Sequence, residues 1–415
     1  TTTKRDGLKI SKAYADRMPQ RISYDEHGNF EYGETSRLPC KGWYMRGAPK
    51  GLLFDPTAGL FFDGNTNERT KLTTLGNEGR STSTTISSFL ILQGLAENGY
   101  RPKDQKLLSF TDNRQDAALQ SGHFNDFVRV VRIRSAIAKA AAESPAKQLG
   151  FAEIGRLIRE SLNLDIRSYA KNIDPDPFPH VILHYEKTFE KYLLYQAIYD
   201  LRRGWRVILP NLEKCALLDV VYEDLETAAS ETTHWQKVPW ICDLDKETRT
   251  RFLRNVLDHF RLEYAIHSDQ LLESAPLADA EKEFGERLRS PWTFEGDKTF
   301  APFFMRTERL NRRDQRRSAS LGLSSAFGKY AKHFIRDHFP NEKVGREDYD
   351  SFITALLATL AKAGLLVTLK AKSAENKDVD VYRLRLDKIL WKPGDHTTVR
   401  RDEVKLRTYK GFQSK

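Results

Sequence analysis

The chain has little cysteine and no long apolar run, and these two absences narrow the class of protein. Only three cysteines occur in 415 residues, and Cys40, Cys215 and Cys242 lie far apart without a C-x-x-C pair. A disulfide framework or a complete thiolate zinc site is therefore not expected, and a reducing cytoplasm is the natural location. No apolar run approaches the roughly 18 residues of a membrane span, and no signal peptide opens the sequence, so no membrane partner is expected.

The sequence also lacks the motifs of an ATP-driven motor. A phosphate-binding loop follows a strand and ends in Lys-Ser/Thr, but the nearest match, GLAENGYR, follows a helical pattern and ends in Tyr100-Arg101. YDEHG at 24–28 has the acidic pair of a Walker B motif, but no apolar strand precedes it, and a hairpin turn is the simpler interpretation. We expect this chain alone not to hydrolyse ATP, and we predict neither a catalytic residue nor a metal site nor a cofactor in it.

What the sequence has is size and positive charge. A chain of 415 residues favours two to four domains, and 40% hydrophobic residues are enough for real cores. The formal charge of +10 favours a polyanionic partner, although a merely basic protein would look the same. The sequence begins without Met and ends on the basic YKGFQSK, which favours a piece of a longer protein.

The first 140 residues fall into two parts. Residues 1–65 predict short β-hairpins, because RISYDEHGNFEYG and GWYMRGAPKGLLFDPTAGLFFDGN place turn residues between short aromatic-rich runs. Over 66–140, TTISSFLILQGLAENGY predicts a helix that ends at Gly99, KLLSF at 106–110 a buried strand, and the residues after it a second helix. Helix, strand and helix joined by tight loops are typical of an α/β layer with a parallel sheet.

The remainder is predicted to be mostly helical. Residues 141–317 carry apolar stripes at helical spacing, with one or two short extended pieces between the helices. Residues 318–395 predict helices at about 324–339 and 347–363, the second ended by Gly364, and then the strands LLVTLK and VYRLRL. A helix–turn–helix followed by a hairpin is typical of a winged helix. The basic segment 396–415 is predicted to be a linker.

The strand-to-helix corner TDNRQD is the first candidate binding site, because ligands of open α/β sheets lie beyond the carboxyl ends of the strands. Thr111 and Asn113 can donate to a phosphate, Arg114 can clamp one, and the helix N-terminus adds its N–H groups and dipole. Asp112 and Asp116 would repel phosphate and instead cap the helix or fix the arginine. A simple capped turn without a ligand is the alternative.

Two further segments could contact phosphate. GNEGRSTSTT places Arg80, Ser81 and Thr82 near the start of a helix, where a Ser/Thr N-cap is the alternative. MRTERLNRRDQRR at 305–317 carries six arginines and two acidic residues, a local charge of 6 − 2 = +4, with a solvated loop as the alternative. The candidates in this segment are Arg312, Arg313, Arg316 and Arg317.

The second helix of the predicted winged helix has a poor face for reading bases. Its apolar stripe is predicted to pack inward: Tyr349, Phe352, Ile353, Leu356 and Leu360. The outer face then offers Asp350, Ser351, Thr354, Ala358 and Lys362. Base reading in a groove uses Arg, Lys, Asn or Gln, so packing against a neighbouring domain is the favoured role.

Four blocks together resemble a known family: LGNEGRSTSTT, KLLSFTDNRQDAALQSGHFNDF, RRGWRVILPNLEKCALLDVVYEDL and RSASLGLSSAFGKY. They are similar to the central region of large bacterial DEAD/DEAH-box helicases of superfamily 2, which have relatives in anti-phage defence and DNA repair. The resemblance covers roughly residues 66–395. It implies that SFTDNRQDA begins the second RecA-like motor domain, at its motif IV region facing the nucleic-acid backbone. The helices and winged helix would then be a large insertion in that domain.

The resemblance has gaps. The ATP-binding loop, DExH box and arginine finger of these helicases have no counterpart here, so ATP and Mg²⁺ are implied for a full-length protein and not for this chain. Several relatives hold cysteines before the motor domain, where this sequence has Cys40 alone. The resemblance therefore implies a zinc ribbon that is degenerate or absent.

The sequence thus predicts a mostly helical α+β fold, with a partial RecA-like α/β segment, a helical insertion and a winged helix. The predicted function is nucleic-acid binding within an ATP-dependent DNA helicase or translocase, in defence or repair. Its partners would be single-stranded DNA or a duplex junction, the remaining motor domains and defence-system proteins. The alternative is a non-enzymatic protein-interaction module with an incidental basic surface. An independent winged-helix regulator is a third possibility, weakened by the outer face described above.

Overall fold

The structure is a computed structural model, and it describes residues 20–33, 37–44, 77–108, 114–202, 212–213, 216–293 and 300–395, with six short strands near the two ends. The fold is α+β and mostly helical, as expected. The chain divides into two compact units, one of residues 1–74 with 406–408 and one of residues 75–405 with 409–415.

The first unit contains short antiparallel strands. In chain order they are β1 (Lys4–Arg5), β2 (Leu8–Lys9), β3 (Gln20–Tyr24), β4 (Phe30–Tyr32), β5 (Cys40–Tyr44), β6 (Phe54–Asp55) and β7 (Leu60–Phe61). The order β4–β3–β5 makes a three-stranded sheet, and β6 pairs with β7. Asp25 holds the turn between β3 and β4, because its carboxylate accepts from the backbone N–H groups of His27 and Asn29 at 3.0 and 2.9 Å. The two predicted hairpins are confirmed, and YDEHG is a hairpin turn.

The second unit contains the helices and most of the remaining strands. The helices are α1 (Asn77–Glu97), α2 (Arg114–Glu143), α3 (Phe151–Leu162), α4 (Pro179–Asp200), α5 (Leu225–Ser230), α6 (Thr232–Trp235), α7 (Lys246–Leu262), α8 (Ser274–Arg287), α9 (Arg312–Gln315), α10 (Ala326–His338) and α11 (Arg346–Lys362). The strands are β8 (Leu149–Gly150), β9 (Leu218–Tyr222), β10 (Ile266–His267), β11 (Phe304–Arg306), β12 (Ser318–Ser320), β13 (Leu366–Lys372), β14 (Asp378–Arg385) and β15 (Ile389–Pro393). Two short strands follow: β16 (Arg400–Asp402) belongs to this unit, and β17 (Arg407–Tyr409) has its first two residues in the first unit.

Two small sheets organise the second unit. In one, β13 pairs antiparallel with β14 over seven residue pairs, and β10 and β11 also pair with β14. Strand β12 continues this sheet by pairing parallel with β11. In the other, β15 lies between β8 and β9, antiparallel to both. Strand β15 follows β14 in the chain. A single hydrophobic core includes buried residues of elements from α2 to β15.

The region after residue 318 has the predicted elements. α10 and α11 occupy the predicted helical segments, and Gly364 follows α11 with a φ of +73° that a glycine adopts without strain. β13 and β14 form the predicted hairpin. All five residues predicted to face inward from α11 are buried.

Aromatic packing fixes three helices against one another. The ring of Phe252 on α7 lies 4.5 Å from that of Phe334 on α10 and 6.3 Å from that of Phe352 on α11. Asn255 of α7 also donates to the hydroxyl of Tyr330 at 2.9 Å. These contacts set which face of α10 is buried and which meets solvent.

A buried charge cluster joins α7 to distant parts of the chain. The Arg261 guanidinium, 1% exposed, contacts both carboxylate oxygens of Glu213 at 2.8 and 3.0 Å. It also donates to Asp258 at 3.0 Å and to the Tyr222 hydroxyl at 3.1 Å. The pairing satisfies charges that burial alone would make costly.

One sequence prediction is wrong. Residues 106–108 of the predicted buried strand KLLSF form no strand, and Leu107 and Leu108 are 40% and 82% exposed. The last two residues of that segment lie outside the described ranges. A parallel strand is buried only when strands flank it and helices cover it, and within the described residues nothing pairs with this segment. The RecA-like and winged-helix assignments stay predictions.

Candidate nucleic-acid interface

The predicted strand-to-helix corner is described only at its helical end. Thr111 and Asn113 lie outside the described residues, and Arg114 is the first residue of α2. Arg80, Ser81 and Thr82 lie in the first turns of α1, which begins earlier than the apolar pattern indicated. The side chains of these four helical residues are outside the described part of the chain, so their proposed phosphate contacts stay predictions.

The two helices that carry these residues pack together near their N-terminal ends. Gln120 of α2 donates to the Thr85 hydroxyl of α1 at 3.0 Å. Thr85 is eight residues beyond the start of α1, and Gln120 is six beyond the start of α2. The contact therefore lies in the N-terminal half of α1 and the first third of α2. The segments that carry the candidates at 80–82 and 114 are thus associated through packed helices.

The arginine-rich segment is fully described and lies between two strands of the main sheet. It connects β11 to β12, which run parallel side by side with Arg306 opposite Ser320. Its predicted candidates Arg312, Arg313, Arg316 and Arg317 are all exposed, as is Arg309, which the sequence analysis did not select. We call these five exposed residues the arginine loop.

Side chains other than the five exposed arginines hold the backbone of the arginine loop. The Asn311 side-chain oxygen accepts from the N–H groups of Arg313 and Asp314 at 3.0 and 2.9 Å, which caps the one-turn helix α9. The Asn311 amide also donates to the Asp314 carboxylate at 2.9 Å. At the other end, Arg306 donates through Nε to the Ser318 hydroxyl at 2.9 Å. The exposed guanidinium groups are therefore not needed to hold the loop.

The arginine loop is positively charged without local compensation. Among the described residues, no carboxylate lies within 4.0 Å of the guanidinium groups of its five arginines. Burial lowers the pKa of Arg306, and the nearby charge of Arg309 lowers it further. Burial likewise lowers the pKa of Arg383, and Arg317 adds to this although Glu273 opposes it. Like charges are close enough here to repel, as in a surface that binds anions.

The neighbouring hairpin is different, because its lysines are neutralised. Lys370 lies 2.5 Å from Asp380, Lys372 lies 3.0 Å from Asp378, and Lys377 lies 2.8 Å from Glu375. The hairpin touches the arginine loop, since the backbone N–H of Ala374 donates to the carbonyl of Arg309 at 3.1 Å. Two basic segments thus lie side by side, and only the arginine loop has unpaired cations.

The outer face of α11 has the predicted composition. Asp350, Ser351, Thr354, Ala358 and Lys362 are all exposed. The one further cation at its start, Arg346, lies 3.8 Å from Asp350. This face offers little attraction to a polyanion and few side chains that read bases.

The first unit exposes aromatic rings in its three-stranded sheet, and the described residues of this sheet and its loops carry no net charge. Phe30 and Tyr44 stack with centroids 6.1 Å apart, and Tyr32 meets both rings edge-on. The described charges of residues 20–44 balance: Arg21, Arg37 and Lys41 against Asp25, Glu26 and Glu31. The sheet of β3, β4 and β5 therefore adds no net positive charge among its described residues.

The sequence analysis also missed an exposed apolar face on α1. Ile86, Phe89 and Leu90 are 42–58% exposed, whereas the polar Thr85 and Ser88 are buried. Residues at spacings of three and four share one face of a helix, so these three form a solvent-facing stripe. The helical spacing was visible in the sequence, but which face packs on α2 was not.

The described residues hold no cluster of three or more potential metal ligands, and Cys40 is exposed. No helix of the described part is long and apolar enough to cross a membrane. The chain matches no protein-family model, no curated protein and no solved structure. What the structure supports is therefore an α+β protein with a basic, uncompensated loop.

Proposed function

We propose that this chain is a nucleic-acid-binding region of an ATP-dependent DNA helicase or translocase of superfamily 2, acting in anti-phage defence or DNA repair in the cytoplasm. The observation that carries the proposal is the arginine loop, whose five exposed arginines have no carboxylate within 4.0 Å among the described residues. ATP and Mg²⁺ would act in motor domains that this chain does not supply. Those domains, and proteins of a defence system, would be its partners.

Exposed, unpaired guanidinium groups suit a phosphate backbone. Each can donate two parallel hydrogen bonds to one phosphate, and neutralising phosphates releases counterions. An arginine already paired to a carboxylate would have to break that pair first. The arginine loop needs no such exchange, in contrast to the paired lysines of the hairpin.

The surrounding topology supports a winged-helix arrangement. α10 and α11 precede the β13–β14 hairpin, and β11 pairs with β14 as a third strand. Helix, helix and hairpin in this order is the winged-helix pattern, and proteins with it commonly bind DNA. The RecA-like part of the proposal rests on the resemblance and on the packing of α1 against α2.

The test is fluorescence-anisotropy binding of labelled single-stranded DNA and of a duplex junction, from about 50 to 200 mM salt. Replacing Arg312, Arg313, Arg316 and Arg317 together by Ala should weaken binding at every salt concentration. The log–log salt slope should become shallower by about 0.7 per lost contact for single strands, or up to about 2.8 for all four. The same four positions changed to Lys keep the charge and should keep most of the slope.

Two results would count against the proposal. Equal slopes for the wild type and the Ala variant would remove the arginine loop from the interface. No DNA binding by a folded wild-type chain would refute the nucleic-acid role. Arg114→Ala, measured in the same series, tests the predicted corner on α2 independently of the arginine loop.

A second candidate function is a protein-interaction module. The observation that favours it is the exposed stripe of Ile86, Phe89 and Leu90 on α1, since a soluble helix normally buries its apolar face. This candidate predicts that the folded chain binds DNA weakly or not at all. The anisotropy series therefore separates the two functions.

A further inference from the structure

The outer face of α10 is a cationic stripe. Lys332, His333 and Arg336 lie three, four and seven residues after Lys329, and all four residues are exposed. Residues with these spacings lie on one face of a helix. At about 1.5 Å of rise per residue, the stripe is about 10.5 Å long.

The direction in which this stripe points is fixed by the core. Phe327, Tyr330, Ala331, Phe334 and Ile335 of the same helix are buried, and each is at most 8% exposed. Their packing, which includes ring contacts of Tyr330 and Phe334 with Phe252 of α7, prevents the helix from rotating about its own axis. The four basic and polar side chains are therefore held toward solvent.

The stripe has little local compensation. Among the described residues, no carboxylate lies within 4.0 Å of the ammonium groups of Lys329 and Lys332. Arg336 has the neighbouring Asp337 at 3.6 Å, with both side chains more than 60% exposed. Arg336 also donates to Nδ1 of His333 at 2.9 Å. Because a guanidinium only donates, Nδ1 accepts, and the proton of the neutral ring is on Nε2, where it can donate.

The second helix of the pair lacks such a face. The outer residues of α11 include Asp350, and its first cation, Arg346, is paired with that carboxylate at 3.8 Å. The hairpin that follows has its three lysines paired with acidic residues. Positive potential in this region therefore comes from α10 and from the arginine loop.

We propose that the sugar–phosphate backbone of a nucleic acid lies along the outer face of α10, the first helix of the pair, and not along α11. This inference rests on the proposed function and specifies how the second unit would hold its ligand. A stripe of Lys, Lys, His and Arg supplies charge and N–H donors but no side chain that reads a base edge selectively. Binding through α10 is accordingly insensitive to sequence.

A nucleic acid is favoured over an acidic peptide as the occupant. The second unit presents two separate basic segments with little local compensation, α10 and the arginine loop, and the chain carries a net charge of +10. A polymer with regularly spaced charge can contact both segments and release counterions at each.

The experiment compares two triple variants with equal loss of charge. The first, Lys329→Ala/Lys332→Ala/Arg336→Ala, removes the stripe. The control, Lys370→Ala/Lys372→Ala/Lys377→Ala, removes three cations of the neighbouring hairpin that are already paired. Anisotropy with labelled single strands of several sequences is measured across the salt range given above, with circular dichroism and thermal unfolding to verify the fold.

We expect the stripe variant to lose up to about 2 from the log–log salt slope, since three contacts contribute about 0.7 each. The hairpin control should stay close to the wild type. A charge-preserving variant, Lys329→Arg/Lys332→Arg/Arg336→Lys, should bind like the wild type for every sequence, and it keeps the test valid if the Ala variant misfolds.

Each other outcome overturns part of the argument. If the wild type binds with a steep slope and the stripe variant does so equally, the α10 inference fails while the proposed function stands. If the hairpin control weakens as much as the stripe variant, binding follows total charge and α10 has no special part. If polyglutamate displaces the DNA at equal charge concentration, the occupant is an acidic chain in general. If the folded wild type does not bind, the inference and the proposed function fail together.

Discussion

Gly328 in the first turn of α10 is a residue at which an added methyl group should destabilise the fold, and the chain offers a matched control. Its N–H donates to the capping hydroxyl of Ser325 at 3.0 Å. A β-carbon built on it would lie 2.3 Å from the carbonyl oxygen of Gly322 and 2.5 Å from that of Leu323. Both are backbone atoms, so no side-chain rotation can relieve the overlap.

The expected cost follows from overpacking. Inserting a methyl group into filled space typically costs about 1–3 kcal/mol of the free energy of unfolding. Gly285→Ala in α8 is the control, because a β-carbon there meets nothing within 4 Å. That substitution should stabilise by about 0.5–1 kcal/mol through helix propensity. The same chemical change should therefore have opposite signs in the two helices, and the two effects should differ by roughly 1.5–4 kcal/mol.

Urea unfolding monitored by far-ultraviolet circular dichroism is the assay, because every described helix belongs to the second unit. Coincident transitions by tryptophan fluorescence would justify a two-state treatment. We expect a lower midpoint for Gly328→Ala and a higher one for Gly285→Ala. If Gly328→Ala is as stable as the wild type while the control is stabilised, the loop at 322–323 does not lie against α10. The fixed orientation of the basic face of α10 would then lose one of its supporting contacts.

Two further predictions concern buried and partly buried charges. Arg261→Met should lower the free energy of unfolding by about 3–5 kcal/mol, since it removes the buried guanidinium that contacts the Glu213 and Asp258 carboxylates. A loss below about 1 kcal/mol in urea unfolding would contradict the buried pairing. Burial raises the pKa of Glu283, but hydrogen bonds from Lys191 and Thr188 outweigh it, so the pKa stays below its ordinary value of 4.5. A lowered pKa contributes stability above pH 4.5, and this stability is lost as the pH falls through the folded-state pKa. Glu283→Gln should therefore make the free energy of unfolding fall less steeply at acidic pH. An unchanged acidic part of this profile would contradict the prediction.

The elements defined by local pattern were predictable. The apolar spacing in α11 placed Tyr349 and Leu356 inward, and both are 0% exposed. Glycines marked where helices end, since Gly99 and Gly364 adopt positive φ. These features depend on residues within a few positions of each other, where backbone sterics and helical periodicity act directly.

Features that depend on distant partners were not predictable. KLLSF has the composition of a buried strand, yet Leu108 is 82% exposed because burial requires flanking strands that the segment itself cannot provide. Likewise, helical periodicity in α1 did not show that Thr85 would face α2 while Phe89 faces solvent. The same pattern fits either orientation until a neighbouring element is in place.

The candidate interface also has features that the sequence showed and features that depended on the fold. The sequence by itself determined where the cations are, since six arginines at 305–317 and the spacing of Lys329, Lys332 and Arg336 are visible in it. Only the tertiary structure decided which of them remain unpaired. The hairpin register brings Lys370 and Lys372 opposite Asp380 and Asp378, whereas among the described residues no carboxylate lies within 4.0 Å of the arginine loop or of Lys329 and Lys332. Coulomb attraction acts over a few ångströms in space, and chain folding sets those distances.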